Sequence, residues 1–516
     1  MGEQAMTVAG LLQAGVAGHP ALTAPGGTPL TFGDLRFLVA ATTASLDEHG
    51  IGINDRVAIV LDNGPEMAAA FLCIAAGATA APLNPAYRAE EYEFYLNDLG
   101  AKLLIVARES TSPAIGVARR LGVPVVRLVS QPASGAGRFE LEFPESLPVV
   151  ATGSARHAGP DDIALVLHTS GTTSRPKIVP LRHRNICASA RNIRATLELG
   201  PADLGLCIMP LFHIHGLMAA LLAPLAAGGT VCCTPGFNAL RFFSWLADIR
   251  PTWYTAVPTM HQAILARASK NADAVAGSRL RFIRSSSSAL PPTVIAQLET
   301  TFRAPVIESY GMTEAAHQMA SNPLPPGARK PGTVGVAAGP QIRVVDTAGR
   351  DVSPGDRGEI VIGGDNVMGG YENNPGANAD AFIDGWFRTG DQGTLDVDGY
   401  LTITSRLKEI INRGGEKISP REVDEIIMEH PAVHQCVTFA VPHALLGEDV
   451  AAAVVLREGA AADDRELRTF AAKRLADFKV PRTILILKEI PVGATGKLQR
   501  IGLAKTLGLA TPSGPG

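Results

Sequence analysis

The chain has 516 residues, of which 46% are hydrophobic and 18% charged, so it is too long for one ordinary core and calls for two or more domains of a globular protein. A formal net charge of −3 gives no long-range attraction to nucleic acid or to an anionic membrane surface, and no block of like charge suggests a tail. The six cysteines, Cys73, Cys187, Cys207, Cys232, Cys233 and Cys436, form no CxxC pair and read as reduced, mostly buried thiols rather than disulfide or zinc ligands.

The opening residues MGEQAMTVAGLLQ lack the basic start of a signal peptide. β-Branched runs at Val57–Leu61, Leu103–Val106, Ile163–Leu167 and Val306–Ile307 predict strands. The Ala- and Leu-rich stretches between them predict helices, so this region reads as α/β layers. Two apolar stretches, Met67–Leu83 and Leu217–Cys233, fall short of the ~20 residues of a membrane span. They predict core elements and no integral membrane segment. Near Ile342 the texture changes to short strands with Gly and Asp turns, IRVVDTAGRDVSPGDRGEIVIGG, a small β-rich subdomain. Ser405–Glu409 then joins two well-patterned regions. Beyond it Ser419 can cap a helix, Pro420 suits its first turn and Glu422 completes a capping box. Val423, Ile426 and Ile427 supply the buried face, and Pro431 ends it. Strands at Cys436–Val441, Ala452–Leu456 and Thr483–Leu487, with a helix from about Arg465 to Phe478, complete an α+β domain of roughly 110 residues. The expected division is a large body over residues 1–405 and a small lid over residues 406–516. The terminal TPSGPG carries no peroxisomal address, and a cytoplasmic location is expected.

Four blocks carry chemistry. Leu167-His168-Thr169-Ser170-Gly171-Thr172-Thr173-Ser174-Arg175-Pro176-Lys177 follows a predicted strand. Its hydroxyls, backbone N–H groups and lysine make an anion cradle, although the spacing is not that of a Walker A loop. Glu308-Ser309-Tyr310-Gly311-Met312-Thr313-Glu314 offers a ring for stacking, a glycine for close approach, a hydroxyl for phosphate and a hard oxygen ligand suited to Mg²⁺. In Gly385-Trp386-Phe387-Arg388-Thr389-Gly390-Asp391 the aspartate follows a glycine turn and can accept both hydroxyls of a ribose. Arg406, fifteen residues on, could act from the other side of that sugar. Gly493-Ala494-Thr495-Gly496-Lys497-Leu498-Gln499-Arg500 places a lysine between glycine-bearing turns near the chain end. Each block alone has an ordinary reading as a surface turn, a capped turn or a solvated charge.

Taken in order, the blocks resemble the adenylate-forming superfamily of acyl-CoA synthetases, adenylation domains and luciferases, over nearly the whole chain. The resemblance implies a large multi-layered α/β body with a mobile C-terminal lid. It makes Thr169, Ser170, Gly171, Thr172, Thr173 and Lys177 the phosphate loop. Ser288, Ala289, Tyr310, Gly311, Met312 and Thr313 would bind the nucleotide, and Glu314 the magnesium. Asp391 and Arg406 would hold the ribose, Lys408 would be the hinge, and Lys497 the adenylation lysine. Gly414-Gly415-Glu416-Lys417 looks like the turn that lines the pantetheine tunnel. Ser174 and Ile178 stand where glycine is frequent in the superfamily. Neither replacement removes a charged group, so an active loop of altered flexibility is expected.

A narrower resemblance is to the oxalate–CoA ligases of plants and fungi. It rests on Leu211-Phe212-His213-Ile214-His215-Gly216, on the segments Pro251–Thr259, Arg281–Ser285 and His317–Pro323, and on Ile411–Pro420. The serine run Ser285–Ser288 is more polar than an acyl-tail pocket needs, and a short diacid must have its far carboxylate paired when it is buried. His213, Ser287 and His317 are the candidates for that role. His213 with His215 makes a poor metal pair, because no third ligand is evident. The implied reaction is ATP-dependent: an acid becomes an acyl-adenylate with loss of pyrophosphate, and CoA then displaces AMP. The implied acid is a short diacid such as oxalate, with a fatty acid or a coumarate-type aryl acid as the alternative, and a homodimer is admissible. Three rival activities are loading of a carrier protein, luciferase-like oxygenation, and nucleotide binding without catalysis. The absence of a recognisable carrier domain, the polar pocket, and the retention of Lys497, Glu314 and Asp391 argue against them in turn.

Overall fold

A computed structural model describes residues 6–150, 157–169, 176–491 and 498–510. The chain divides into two compact units. Residues 1–169, 177–342 and 362–380 form the first, and residues 170–176, 343–361 and 381–516 the second.

Among the described residues, the first unit carries a nine-stranded and a seven-stranded sheet. In the larger one, Pro20–Thr23, Thr230–Cys233, Leu204–Cys207, Trp253–Ala256, Phe282–Ser285 and Val306–Met312 run parallel. The antiparallel strand His317–Ser321 follows on the edge of Val306–Met312. Parallel neighbours need crossovers, and helices Phe242–Ile249, Pro258–Ala268 and Pro292–Phe302 supply them. Each lays apolar side chains on the sheet. Phe242, Trp245, Leu246, Ile264, Leu298 and Phe302 pack with Leu206, Tyr254, Ile283 and Val306 in one core, each full burial contributing about 1.5–3 kcal/mol. The same topology collects the loops at the carboxyl ends of the strands, which is where open α/β sheets bind ligands.

The seven-stranded sheet runs in the order Phe139–Glu142, Val125–Ser130, Leu103–Ala107, Arg56–Val60, Thr79–Pro82, Ile163–His168 and Ile178–Arg182. The apolar stretch from Met67 is the buried helix Pro65–Gly77 followed by strand Thr79–Pro82. The stretch from Leu217 is a π-helical segment Gly216–Leu222, a short helix Ala223–Ala226 and strand Thr230–Cys233. No helix among the described residues is long and apolar enough to cross a membrane. All six cysteines are buried and free.

The second unit is built around two five-stranded sheets. In one, Trp386–Leu395 pairs antiparallel with Leu401–Arg406. In the other, Val433–His443, Gly447–Leu456 and Thr483–Leu487 form the centre. Helix Pro420–Met428 begins with the predicted cap, Ser419 accepting from the Glu422 amide at 3.5 Å with Pro420 in the first turn, but the Glu422 carboxylate accepts from Lys479 Nζ at 2.6 Å instead of closing the expected capping box. The next helix, Asp464–Ala472, is shorter than expected, because Leu475 and Phe478 beyond it turn in to pack on the core. The α/β body and smaller C-terminal α+β part match the expected fold class. Residue 405 lies inside the second unit, on a strand that pairs with Trp386–Leu395.

Candidate active site

The first block sits on a β-hairpin. Strands Ile163–His168 and Ile178–Arg182 pair antiparallel with His168 opposite Ile178. Thr169 N donates to the Lys177 carbonyl at 3.0 Å, and Lys177 N to Thr169 Oγ1 at 3.4 Å. The two ends of the predicted phosphate loop are therefore clamped together. Ser170, Gly171, Thr172 and Thr173 lie outside the described residues.

Lys177 places its ammonium 4.2 Å from the centre of the Tyr371 ring. The Tyr371 hydroxyl donates to Glu314 Oε1 at 2.8 Å, and the Met368 amide donates to the Glu314 carbonyl. Two residues predicted for phosphate and metal are thus brought onto one tyrosine that the sequence did not single out. Glu314 is buried, and its second oxygen makes no hydrogen bond among the described residues. A carboxylate with one oxygen left over is the hard donor Mg²⁺ takes, so this residue fits the ion. No cluster of three acidic, histidine or cysteine ligands occurs among the described residues.

Tyr310, Gly311 and Met312 end the strand Val306–Met312, and Thr313 and Glu314 open the following 3₁₀ turn. Gly311 is forced by the chain itself, since a Cβ there would run into the His317 carbonyl. Tyr310 is buried, whereas Thr313 is half-buried.

The strand ends next door hold a buried polar cluster. His215 lies with its Nε2 2.6 Å from Thr255 Oγ1 and its Nδ1 3.1 Å from Ser287 Oγ. Its ring stacks on His317 with centroids 4.7 Å apart and 20° between planes. Arg284, on the strand beside Thr255, reaches His215 Nε2 and Thr255 Oγ1 at 3.3 Å with one terminal nitrogen, and Gln318 Oε1 at 3.2 Å with the other. The guanidinium is fully buried, and burial draws it down to about 9, still protonated at neutral pH. No carboxylate lies within ion-pair distance of it among the described residues. Ser287 and His317 adopt φ of 75° and 92°, a region that costs a residue other than glycine about 1–3 kcal/mol and clusters at functional sites.

Ser287 and His317, two of the three predicted acid ligands, are therefore brought together. The histidine that bridges them is His215. His213 is half-buried and sits beside Phe212. Ser288 is exposed and Ala289 half-buried on the loop after the strand. The sequence reading missed His215, Thr255, Arg284, Gln318 and Tyr371. Four of the five lie inside segments singled out above, His215 in Leu211–Gly216, Thr255 in Pro251–Thr259, Arg284 in Arg281–Ser285 and Gln318 in His317–Pro323, whereas Tyr371 lies in none.

In the second unit Arg406 Nε meets Asp391 Oδ1 at 2.9 Å across the strand pair. The two predicted ribose residues touch each other directly, so Arg406 orients the carboxylate. Lys408 is exposed in a single 3₁₀ turn, Leu407–Glu409. Gly414 and Gly415 form the two-residue turn of a tight hairpin, with φ of 60° and 100° and Arg413 opposite Glu416, a turn that needs glycine or asparagine. Glu416 and Lys417 are exposed on that hairpin. Lys497 lies outside the described residues. Arg500, three residues beyond, bonds Asp424 Oδ2 at 2.7 Å and Glu409 Oε2 at 3.1 Å.

The model of the AMP-binding enzyme matches residues 12–372, and that of the AMP-binding enzyme C-terminal domain matches residues 422–497. An oxalate–CoA ligase of Arabidopsis thaliana is 44% identical over 96% of this chain and 97% of its own length. An oxalate–CoA ligase of Saccharomyces cerevisiae is 43% identical over 88% of this chain and 87% of its own. Among solved structures, ATP-bound MatB from Rhodopseudomonas palustris is similar with a TM-score of 0.85, 28% identity, and coverage of 97% of this chain and 98% of that one.

Proposed function

The chain belongs to the AMP-binding enzyme family, and from that premise we propose which acid it takes and which residues do the work. It is an AMP-forming acid–CoA ligase. A carboxylate oxygen attacks the α-phosphorus of ATP and pyrophosphate leaves. The CoA thiol then attacks the acyl carbonyl and AMP leaves.

In the first step negative charge grows on the phosphoryl oxygens. Thr169 to Thr173, Lys177 and Lys497 are our donors for that charge, acting by fixed hydrogen bonds and electrostatics. Tyr310 to Thr313, with Ser288 and Ala289, take the nucleotide. Asp391, steadied by Arg406, accepts from the ribose hydroxyls. Mg²⁺, held by Glu314 and substrate phosphates, would supply charge neutralisation when bound. In the second step the Gly414–Lys417 hairpin receives the pantetheine arm, and rotation at Lys408 exchanges this hairpin for Lys497. A cytoplasmic location fits six buried free thiols. A homodimer is a matter for a solution mass measurement.

The acid is a short diacid, with oxalate first. The observation that carries this is the cluster of buried His215, His317 and Arg284 with half-buried Ser287 at the strand ends. A fatty tail laid on these groups would strand donors and acceptors at about 1–3 kcal/mol each. A second carboxylate would satisfy them. Pyrophosphate release with oxalate, malonate, acetate, octanoate and coumarate, followed by acyl-CoA formation, tests the reading. Oxalate should give the highest kcat/KM. Preference for octanoate or coumarate would replace the diacid with a fatty or aryl substrate.

A further inference from the structure

Arg284 is the only fully buried arginine among the described residues. An arginine inside a protein is normally matched by a carboxylate or a phosphate. Here its partners among the described residues are neutral: a histidine nitrogen, a threonine hydroxyl and a glutamine amide oxygen. Its Nε has no hydrogen-bond partner among the described residues. The neighbouring face of the sheet offers no relief, since Glu308 pairs in register with Ser285, whose side chain points away from that of Arg284. A buried cation left in this state needs an anion from elsewhere.

The hydrogen bonds have a direction. Both terminal nitrogens of a guanidinium can only donate. Thr255 Oγ1 accepts from Arg284 and has its own hydrogen left to give, and His215 Nε2 lies 2.6 Å away. His215 Nε2 therefore faces two donors and must be the bare nitrogen. The proton of the neutral ring then sits on Nδ1, which donates to Ser287 Oγ at 3.1 Å. Ser287, held at φ 75°, is left with its hydroxyl hydrogen to give outward.

We propose that Arg284 is a positioning and specificity-determining residue: acting through Thr255 and His215, it turns the Ser287 hydroxyl into a fixed donor, and its uncompensated charge selects acids that bring a second negative group. The substrate class is then the short dianionic acid, whose far carboxylate meets Ser287 and the positive potential behind it. This rests on the reading of the cluster as the acid site. A monoacid of similar size uses the reacting carboxylate alone and gains nothing from Arg284.

The test compares oxalate with acetate in wild type, Arg284→Met and Thr255→Val, with KM for ATP measured alongside. Arg284→Met should lower the oxalate-to-acetate ratio of kcat/KM by tenfold or more, mainly through KM for oxalate, with KM for ATP unchanged. Thr255→Val keeps the shape and the charge but removes the closer of the two donors on His215 Nε2, and should lower the ratio by several-fold in the same direction, so the outcome does not depend on Arg284→Met folding. Equal losses for both acids in either variant, or an unchanged ratio in Thr255→Val, would overturn the proposal while leaving the oxalate reading intact. A wild type that prefers octanoate removes the diacid reading itself, and the proposal with it.

Discussion

Tyr371 hands its phenolic hydrogen to Glu314 Oε1 at 2.8 Å while the face of the same ring carries the Lys177 ammonium 4.2 Å from its centre. One side chain thereby touches both a cation and an anion singled out in the sequence. It keeps Lys177 over a π-face, and it leaves the other oxygen of Glu314 without a hydrogen bond among the described residues.

Tyr371→Phe removes the hydroxyl and keeps the ring. Glu314 would lose the bond that orients it, and such partners of a metal-binding group typically account for 10–100-fold in affinity or activity. The expected outcome is a rise of about tenfold in the Mg²⁺ concentration that half-saturates pyrophosphate release, with little change in KM for the acid. An unaltered Mg²⁺ dependence would reduce Tyr371 to a packing residue.

The sequence made the backbone of this site legible and left its cross-links hidden. The strand runs at Leu103 and Ile163 are strands within a residue or two, because a strand buried on both faces reads as a near-continuous apolar run; the run at Thr483 is also a strand, though a largely half-buried one. The turn after Tyr310 was readable from its residue types. Tyr371 was not, since it reaches Glu314 from 57 residues away with no local pattern. His213 and His215 are equivalent in the sequence. The choice between them is made by the π-helical segment that begins at Gly216, where a Cβ would strike the Pro210 carbonyl. Asp391 and Arg406 were both singled out, but their direct bond depends on a register that shifts between Gln392 and Gly393, which residue types alone do not encode.

Lys497 is assigned to the first half-reaction only. Lys497→Ala should slow adenylation by about 10²–10³-fold, the usual loss for one preorganised donor. Thioester formation from supplied acyl-adenylate should be close to wild type. Equal losses in the two half-reactions would remove the assignment.

Lys408 stands in the 3₁₀ turn Leu407–Glu409, and rotation there is our account of how the second half-reaction begins. Proline fixes φ and constrains the residue before it. Lys408→Pro should spare adenylation and impair transfer to CoA. Transfer at the wild-type rate would place the hinge at another residue.

Arg500 fastens the segment beyond Lys497 to the core of the second unit. It bonds Asp424 Oδ2 at 2.7 Å, Glu409 Oε2 at 3.1 Å and the Thr438 carbonyl at 3.0 Å. Burial pushes the Asp424 carboxyl up, and Arg500 opposes that shift. Removing the arginine would leave a buried carboxylate without its cation, a loss of about 3–5 kcal/mol. Arg500→Met should therefore lower the denaturation midpoint of the second unit sharply, and adding Asp424→Asn should restore much of it. A double variant no more stable than the single one would show that the charge pair is not the source of the loss.

Acid sensitivity should come partly from two interior histidines. Burial draws both His183 and His261 down to about 4. His183 is held neutral by design of its surroundings, with Nδ1 accepting the Val8 amide at 3.2 Å. In the unfolded chain each takes up its proton near the ordinary histidine value of about 6.5. Between that pH and about 4 the unfolded state binds protons that the folded state refuses, so folding stability falls as pH falls. The stabilisation is fully present above about 6.5. Each such histidine contributes a slope of up to about 1.4 kcal/mol per pH unit within the window. His183→Gln keeps an acceptor for Val8 and cannot titrate. Chemical denaturation at pH 7, 6 and 5 should show nearly equal stabilities at pH 7 for an acceptor-preserving variant, and a shallower decline toward pH 5 than in wild type. A decline as steep as wild type would mean that His183 is protonated in the folded protein and that its burial does not govern the acid response.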